Sequence, residues 1–190
     1  MVEANRNADL NEFFLTVSRL GSTMIVLGAG AVLALVTWRR CPAVGMAIVA
    51  ATLSRPLLEF TLKTLVERPR PDLHRLVTGT GYSFPSGHPM AAVALYGLLP
   101  TIVGLYTKRR DLWWASVVVA GVLIGSIAAS RVYLGVHWFS DVLGGLIVGA
   151  FFLVAIEHFF LGAHKRYPCP MAAKASRKDE ATAVAASSSS

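Results

Sequence analysis

The stretch "YSFPSGHPMAAVALYGLL", residues 82–99, sets a proline, a serine, a glycine and a histidine in a row and then turns apolar. Such a boundary reads as the mouth of a helix whose body is buried in surroundings as apolar as itself. Pro89 sits at a first-turn position, where its missing N–H has no intrahelical partner to lose. Helix starts expose unpaired N–H groups and a partial positive charge, so they receive phosphate readily. Gly87 lets backbone come close to a ligand, and His88 stands beside whatever is held there. Taken alone, the stretch fits a plain capped turn slightly better than an anion site.

Composition says what surrounds the helix. The chain has 190 residues, 54% of them hydrophobic and only 15% charged, with a mean hydropathy of +0.55. A soluble domain carries about 25% charged residues, so a membrane protein is the better reading. A helix needs roughly 20 apolar residues to cross the hydrocarbon, and five runs fit: 22–38, 43–65, 90–106, 112–129 and 142–161. Trp38, Trp113, Trp114 and Trp138 fall near their ends, where aromatic belts form. The expected fold is therefore all-α: a polytopic membrane bundle of about five transmembrane helices, or six if residues 10–20 add one, with the active site at one membrane face. The expected organisation is a polar or interfacial segment at 1–21, a membrane domain at 22–163, and a basic tail at 164–190. That tail is small, polar and low in complexity, so disorder is expected of it.

Several function classes drop out. The net charge of +7 is scattered among apolar blocks rather than gathered on a basic helix with interleaved aromatics, so nucleic acid is not an expected partner. Cys41 and Cys169 stand far apart without a CxxC or Cys/His cluster, which predicts neither a zinc site nor a disulfide framework. The acidic, polar start of the chain does not read as a signal peptide.

Orientation follows from the short loops. Arg39 and Arg40, then Lys108, Arg109 and Arg110, then the tail's lysines and arginines fall on one side of a five-span chain. The positive-inside rule makes that side cytoplasmic and turns the other two loops outward. The loop "VERPRPDLHRLV", with Arg68, Arg70 and Arg75, opposes the rule unless its arginines have a task there.

The two outward loops gather the polar residues. One brings Lys63, Arg70, Ser86 and His88; the other, "SRVYLGVHWFSD", brings Ser130, Arg131, His137 and Asp141. Charged groups at membrane depth are expensive and mark function. Arg suits bidentate phosphate contact, and Lys acts as a point charge. Asp141 lies four residues from His137, within reach of the imidazole, where a carboxylate fixes the tautomer and leaves the other nitrogen free as nucleophile or base. A structural hydrogen bond would be the better reading of a lone pair of this kind. Arg55, Glu59, Lys63 and Glu67 recur every four residues along one helix face. Arg55 and Glu59 read as structural there, orienting Lys63.

Together these residues resemble a known signature. Lys63, Arg70 and Pro71 fit Lys-x6-Arg-Pro; Pro85 to His88 is Pro-Ser-Gly-His; Ser130, Arg131, His137 and Asp141 fit Ser-Arg-x5-His-x3-Asp. In this order, over residues 55–160, they resemble the type 2 phosphatidic acid phosphatase superfamily of membrane lipid phosphatases, glucose-6-phosphatase and vanadium haloperoxidases. The departure is in length, since members with six spans are familiar and five are counted here. The resemblance implies that His137 attacks phosphorus and becomes phosphohistidine, with Asp141 holding its tautomer. His88 would protonate the leaving oxygen and then activate water. Lys63, Arg70, Ser86, Gly87 and Arg131 would hold the phosphoryl oxygens. No cofactor and no metal are expected, since fixed cations can replace a metal ion.

The implied substrate is a lipid phosphate or diphosphate, with a polyprenyl diphosphate such as undecaprenyl diphosphate favoured. Phosphatidate, phosphatidylglycerophosphate and polyprenyl sugar phosphates fit the same motifs. Membrane lipids are the other expected partner. A haloperoxidase is disfavoured by the apolar spans, and a transporter would not need Pro-Ser-Gly-His beside a His–Asp pair. Glycines with GxxxG spacing, Gly121 with Gly125 and Gly145 with Gly149, fit packing within the bundle better than a homo-oligomer.

Overall fold

The computed structural model describes residues 7–72, 75–107 and 109–161. The predicted tail at 164–190 and Lys108 lie outside the described residues. Seven α-helices follow in order: α1 Ala8–Leu20, α2 Thr23–Trp38, α3 Pro42–Val66, α4 Gly87–Tyr96, α5 Leu98–Tyr106, α6 Arg110–Tyr133 and α7 Phe139–Ile156, which runs on into a π-helical turn, Glu157–Leu161. The described residues are otherwise loops and turns, so the fold is the all-helical bundle expected.

Four stretches are long and apolar enough to cross a membrane: Pro42–Val66, Gly87–Tyr106, Arg110–Tyr133 and Phe139–Phe160. The third predicted span is thus a pair, α4 and α5, divided at Gly97. The fifth candidate is α1 with α2, bent by 49° at the break between them. Asn7 caps α1 by accepting the Leu10 N–H at 2.8 Å, and Ser22 caps α2. Residues 10–20 therefore form the bulk of α1, which leans away from α2 and packs over the end of α6. Phe14 stacks on Tyr133, and the Tyr133 hydroxyl donates to Asn11 Oδ1 at 2.9 Å.

Burial is inverted relative to a soluble protein. Leu143, Ile147, Phe151 and Val154 recur at helical spacing along α7, and all are exposed. Val118, Val119 and Val122 do the same on α6. These stripes are the lipid-facing surface, since hydrocarbon is as apolar as the side chains. The interior is built instead from small residues, among them Ala43, Ala47 and Ala51 of α3 and Ala91, Ala92 and Ala94 of α4.

The two GxxxG pairs behave differently. A Cβ at Gly145 would stand 2.5 Å from the Ser86 carbonyl oxygen, and one at Gly149 would stand 3.2 Å from Met90 Cα. This pair sets the close approach of α7 to α4. Positions Gly121 and Gly125 have nothing within 4 Å of such a Cβ, so they do not pack inside the bundle. One further reading is corrected: Cys41 is disulfide-bonded.

Candidate active site

The site is assembled at one end of the bundle, where α3 and α6 finish and α2, α4 and α7 begin. Helix α3 stops at Glu67, whose φ of 50° is the left-handed conformation that ends helices. The prolines of "RPRP" cannot continue a helix, so the chain runs out as a loop. That loop is fastened at several points. Ser83 donates through its N–H to Arg68 O and through Oγ to Pro69 O, at 2.8 and 2.9 Å. Leu76 N–H donates to Leu134 O at 3.1 Å, and Ser86 N–H to the backbone oxygen of Asp141 at 3.0 Å. The Pro-Ser-Gly-His turn is thereby tied directly to the start of α7.

His137 precedes α7, and Asp141 occupies that helix's third position. Asp141 is fully buried. Its Oδ2 accepts the Trp138 N–H at 2.9 Å, half of a capping box, and its Oδ1 accepts from Arg68 Nη1 at 2.7 Å. The histidine is further off: Nδ1 to Oδ2 is 3.6 Å, longer than a hydrogen bond, and Nδ1 has no hydrogen-bond partner. On its other side Nε2 faces Arg70 Nη1 at 3.3 Å. A guanidinium can only donate, so Nε2 is the acceptor and the neutral ring carries its proton on Nδ1. Burial first, and then the fields of Arg70, Arg131 and Lys63, push His137 down to about 2. The ring is neutral at ordinary pH, with its Nε2 lone pair available.

Arg70 is more committed than its motif implies. A guanidinium has five N–H donors. In Arg70 they meet the carbonyls of Gly81 at 2.9 Å, Thr80 at 2.8 Å, Tyr82 at 3.2 Å and Val136 at 2.9 Å, and His137. It pins the loop before Pro-Ser-Gly-His and aims one N–H at the histidine lone pair. A phosphoryl oxygen arriving at His137 would take over that single N–H.

Lys63, Glu59 and Arg55 form a chain on α3, the face that their four-residue spacing predicts. Glu59 accepts from Arg55 Nη1 at 2.5 Å and pairs with Lys63 at 3.0 Å. Arg55 is 1% exposed and also donates to Gly87 O at 3.2 Å and Thr23 Oγ1 at 3.1 Å, which joins three helices. A Cβ at Gly87 would come within 2.1 Å of the Glu59 carboxylate. Gly87 is therefore required by Glu59, a reason additional to ligand approach.

Ser86 is the N-cap residue of α4, yet its side chain makes no capping bond; Oγ is buried without a partner. A serine there ordinarily spends its oxygen on the helix. His88, half-buried, packs against Gly21 at the α1–α2 bend, where a Cβ would lie 3.3 Å from its ring. Arg131 is buried, donates through Nη1 to Ser18 Oγ at 2.5 Å, and leaves Nε without a partner. Arg131 and His88 line one cavity of about 350 Å³. Ser130 is turned away, donating to Ile127 O within its own helix.

Two contributors escaped the motifs. Arg68 holds Asp141 and also lies 5.8 Å over the Trp138 ring; its trace in the sequence is an arginine in a loop where the positive-inside rule expects few. Ser18 of α1 supports Arg131 from 113 positions away, and no local pattern announces that pairing.

An all-helical chain with lipid-facing apolar stripes thus places two histidines, a buried carboxylate and several cations at one end of its bundle, the makings of a membrane enzyme for anionic phosphate groups. Residues 43–165 match the PAP2 superfamily, and the chain belongs to it. It is a membrane lipid phosphatase, a hydrolase of lipid phosphates. The chain is 34% identical over 157 residues to phosphatidylglycerophosphatase B of Bacillus subtilis (strain 168), covering 76% of this chain and 73% of that one. It is 27% identical over 174 residues to undecaprenyl-diphosphatase of Sulfolobus acidocaldarius, covering 83% and 75%. The crystal structure of the transmembrane PAP2 type phosphatidylglycerolphosphate phosphatase from Bacillus subtilis superposes with a TM-score of 0.78 at 29% identity, over 83% of this chain and 80% of that one.

Proposed function

We propose that this chain removes the terminal phosphate of phosphatidylglycerophosphate through a phosphohistidine at His137. The observation that carries the mechanism is the buried neutral imidazole, its Nε2 lone pair met by Arg70 at 3.3 Å and its Nδ1 turned toward Asp141. In the first step Nε2 attacks phosphorus, the P–N bond forms, the P–O bond to the lipid breaks, and His88 protonates the departing oxygen. In the second, His88 takes a proton from water, whose oxygen displaces His137 and releases inorganic phosphate. Lys63, Arg131 and the Arg70 N–H offset the phosphoryl charge, and the unused Ser86 Oγ and the first N–H groups of α4 hold its oxygens. Phosphoryl transfer depends mostly on positioning and electrostatics, so these cations supply what a metal ion would otherwise provide.

The choice of lipid leans on the relative of that name at 34% identity over three quarters of the chain. It displaces the polyprenyl diphosphate that the sequence favours to second place, where undecaprenyl-diphosphatase at 27% identity keeps it. The proposed orientation puts the active site outside and the tail in the cytoplasm, because Arg39, Arg40, Arg109 and Arg110 lie at the bundle's other end. The Cys41 disulfide, which belongs in an oxidising compartment, sits beside those arginines and argues the other way. Several charges in separate loops outweigh one bond, and labelling of engineered loop cysteines from each side of sealed vesicles decides it.

Phosphate release by the purified protein tests the activity, using phosphatidylglycerophosphate, phosphatidate and a polyprenyl diphosphate, with His137→Ala as blank. Phosphatidylglycerophosphate should turn over fastest, EDTA should leave the rate unchanged, and vanadate should inhibit. Equal rates in His137→Ala, or strict dependence on added Mg²⁺, would overturn the mechanism.

A further inference from the structure

The cavity shared by His88 and Arg131 has a second wall, made by Ser18, Arg19 and Ser22 at the α1–α2 bend. None of these belongs to a motif of the family signature. Position in the reaction gives that wall meaning. The transferred phosphoryl group sits at His137, and His88 serves the oxygen that departs. The cavity is lined by His88 but not by His137, which makes it the place for the leaving group rather than for the transferred phosphoryl group. Its volume of about 350 Å³ is within the usual range for ligand sites.

The leaving group's chemistry can be read from the lining. The Arg19 side chain is exposed and has no hydrogen bond or ion pair among the described residues, and it lines the cavity. Arg131 is buried, and its Nε has no acceptor. Ser18 Oγ already meets Arg131, which ties the α1 wall to the catalytic side. Ser22 accepts from the α2 backbone and keeps its own O–H to donate. Arg131 serves the transferred phosphoryl group, which leaves the Arg19 guanidinium and the two serine hydroxyls, with no carboxylate among the lining residues, to suit a second anion. An uncharged leaving group such as diacylglycerol would offer Arg19 no counter-charge within the cavity.

We propose that Arg19, with Ser18 and Ser22, binds a second phosphate in the leaving group, so that α1 selects lipids carrying two phosphates over lipids carrying one. Phosphatidylglycerophosphate has a phosphodiester beyond the scissile bond, and a polyprenyl diphosphate leaves as a monophosphate; phosphatidate has neither. The inference rests on the lipid phosphatase reading above. It separates Arg19 from an ordinary basic residue at a helix end, which would snorkel to the interface and treat all lipids alike.

The test compares purified full-length wild type, Arg19→Ala and Arg19→Lys on two matched pairs: phosphatidylglycerophosphate against phosphatidate with the same acyl chains, and farnesyl diphosphate against farnesyl monophosphate. The readout is the ratio of kcat/KM within each pair. Charge-assisted hydrogen bonds to phosphate are the strong ones, so Arg19→Ala should lower both ratios by about tenfold or more, chiefly through KM. Arg19→Lys should recover much of the loss. Unchanged ratios, or equal losses on both members of a pair, would overturn the proposal while leaving the phosphatase intact. No phosphate release by wild type from any of the four would sink the underlying reading, and this inference with it.

Discussion

Arg55 and Glu59 offer the clearest separation of a positioning ion pair from a merely adjacent one. The Arg55 side chain is 2% exposed and that of Glu59 19%, with 2.5 Å between them. Breaking a buried pair from one side costs about 3–5 kcal/mol, because the remaining charge stays buried. The partial exposure of Glu59 lowers this, and Arg55 retains Thr23 and the Gly87 carbonyl as acceptors, so Glu59→Met should cost about 2–4 kcal/mol. For a chain of this size each kcal/mol moves the thermal midpoint by about 2–4 °C. The single variant should thus melt about 5–15 °C below wild type. Arg55→Met strands Glu59 less, since Lys63 still answers it at 3.0 Å. The double variant removes both charges and should lie within about 5 °C of wild type, as well-packed apolar replacements of buried pairs tend to be neutral. Intrinsic tryptophan fluorescence in detergent follows the transition. Losses that simply add in the double variant would refute the coupling, and with it the view that this pair holds Lys63 and Gly87 in place.

Other expectations follow from the same geometry. Because the folded His137 sits at about 2, below the ordinary 6.5, the unfolded chain takes up a proton first as pH falls. Stability should therefore be retained above about pH 6.5 and decline below it, by up to about 1.4 kcal/mol per pH unit. The melting midpoint should fall less between pH 7 and 5 in His137→Gln than in wild type; equal declines would contradict the buried neutral ring. In Gly145→Ala the new methyl would press on the Ser86 carbonyl at 2.5 Å, parting α7 from the Pro-Ser-Gly-His turn. The expected result is a loss of about tenfold or more in kcat/KM with a stability cost of about 1–3 kcal/mol, and wild-type kinetics would show that this contact does not align the site.

How far the sequence could be read depended on the range of the interaction. The apolar runs mark α2 to α7 within a few residues, since hydrocarbon imposes its own length on each span. The division at Gly97 left no trace, as glycine and proline are common in membrane helices. Lys63, Glu59 and Arg55 were legible because helical spacing alone puts them together. The loop arginines were legible only as an anomaly: Arg68 and Arg70 reach the site, whereas Arg75 pairs locally with Asp72 and with the Pro71 carbonyl. The wall supplied by α1 was hidden, because Ser18 meets Arg131 only through the packing of α1 across α6. The Asp141 geometry was hidden as well. Four-residue spacing puts the carboxylate near His137, but its stronger partners are Arg68 and the Trp138 N–H.

The central claim is that His137 becomes covalently phosphorylated during turnover. The most direct measurement is acid-avoiding quench of the enzyme with phosphatidylglycerophosphate in the steady state, followed by peptide mass spectrometry under alkaline conditions. A phosphoryl group on His137 in wild type, and none in His137→Ala, is the predicted result. Sustained phosphate release with His137 unmodified at every time point, or from His137→Ala itself, would contradict it.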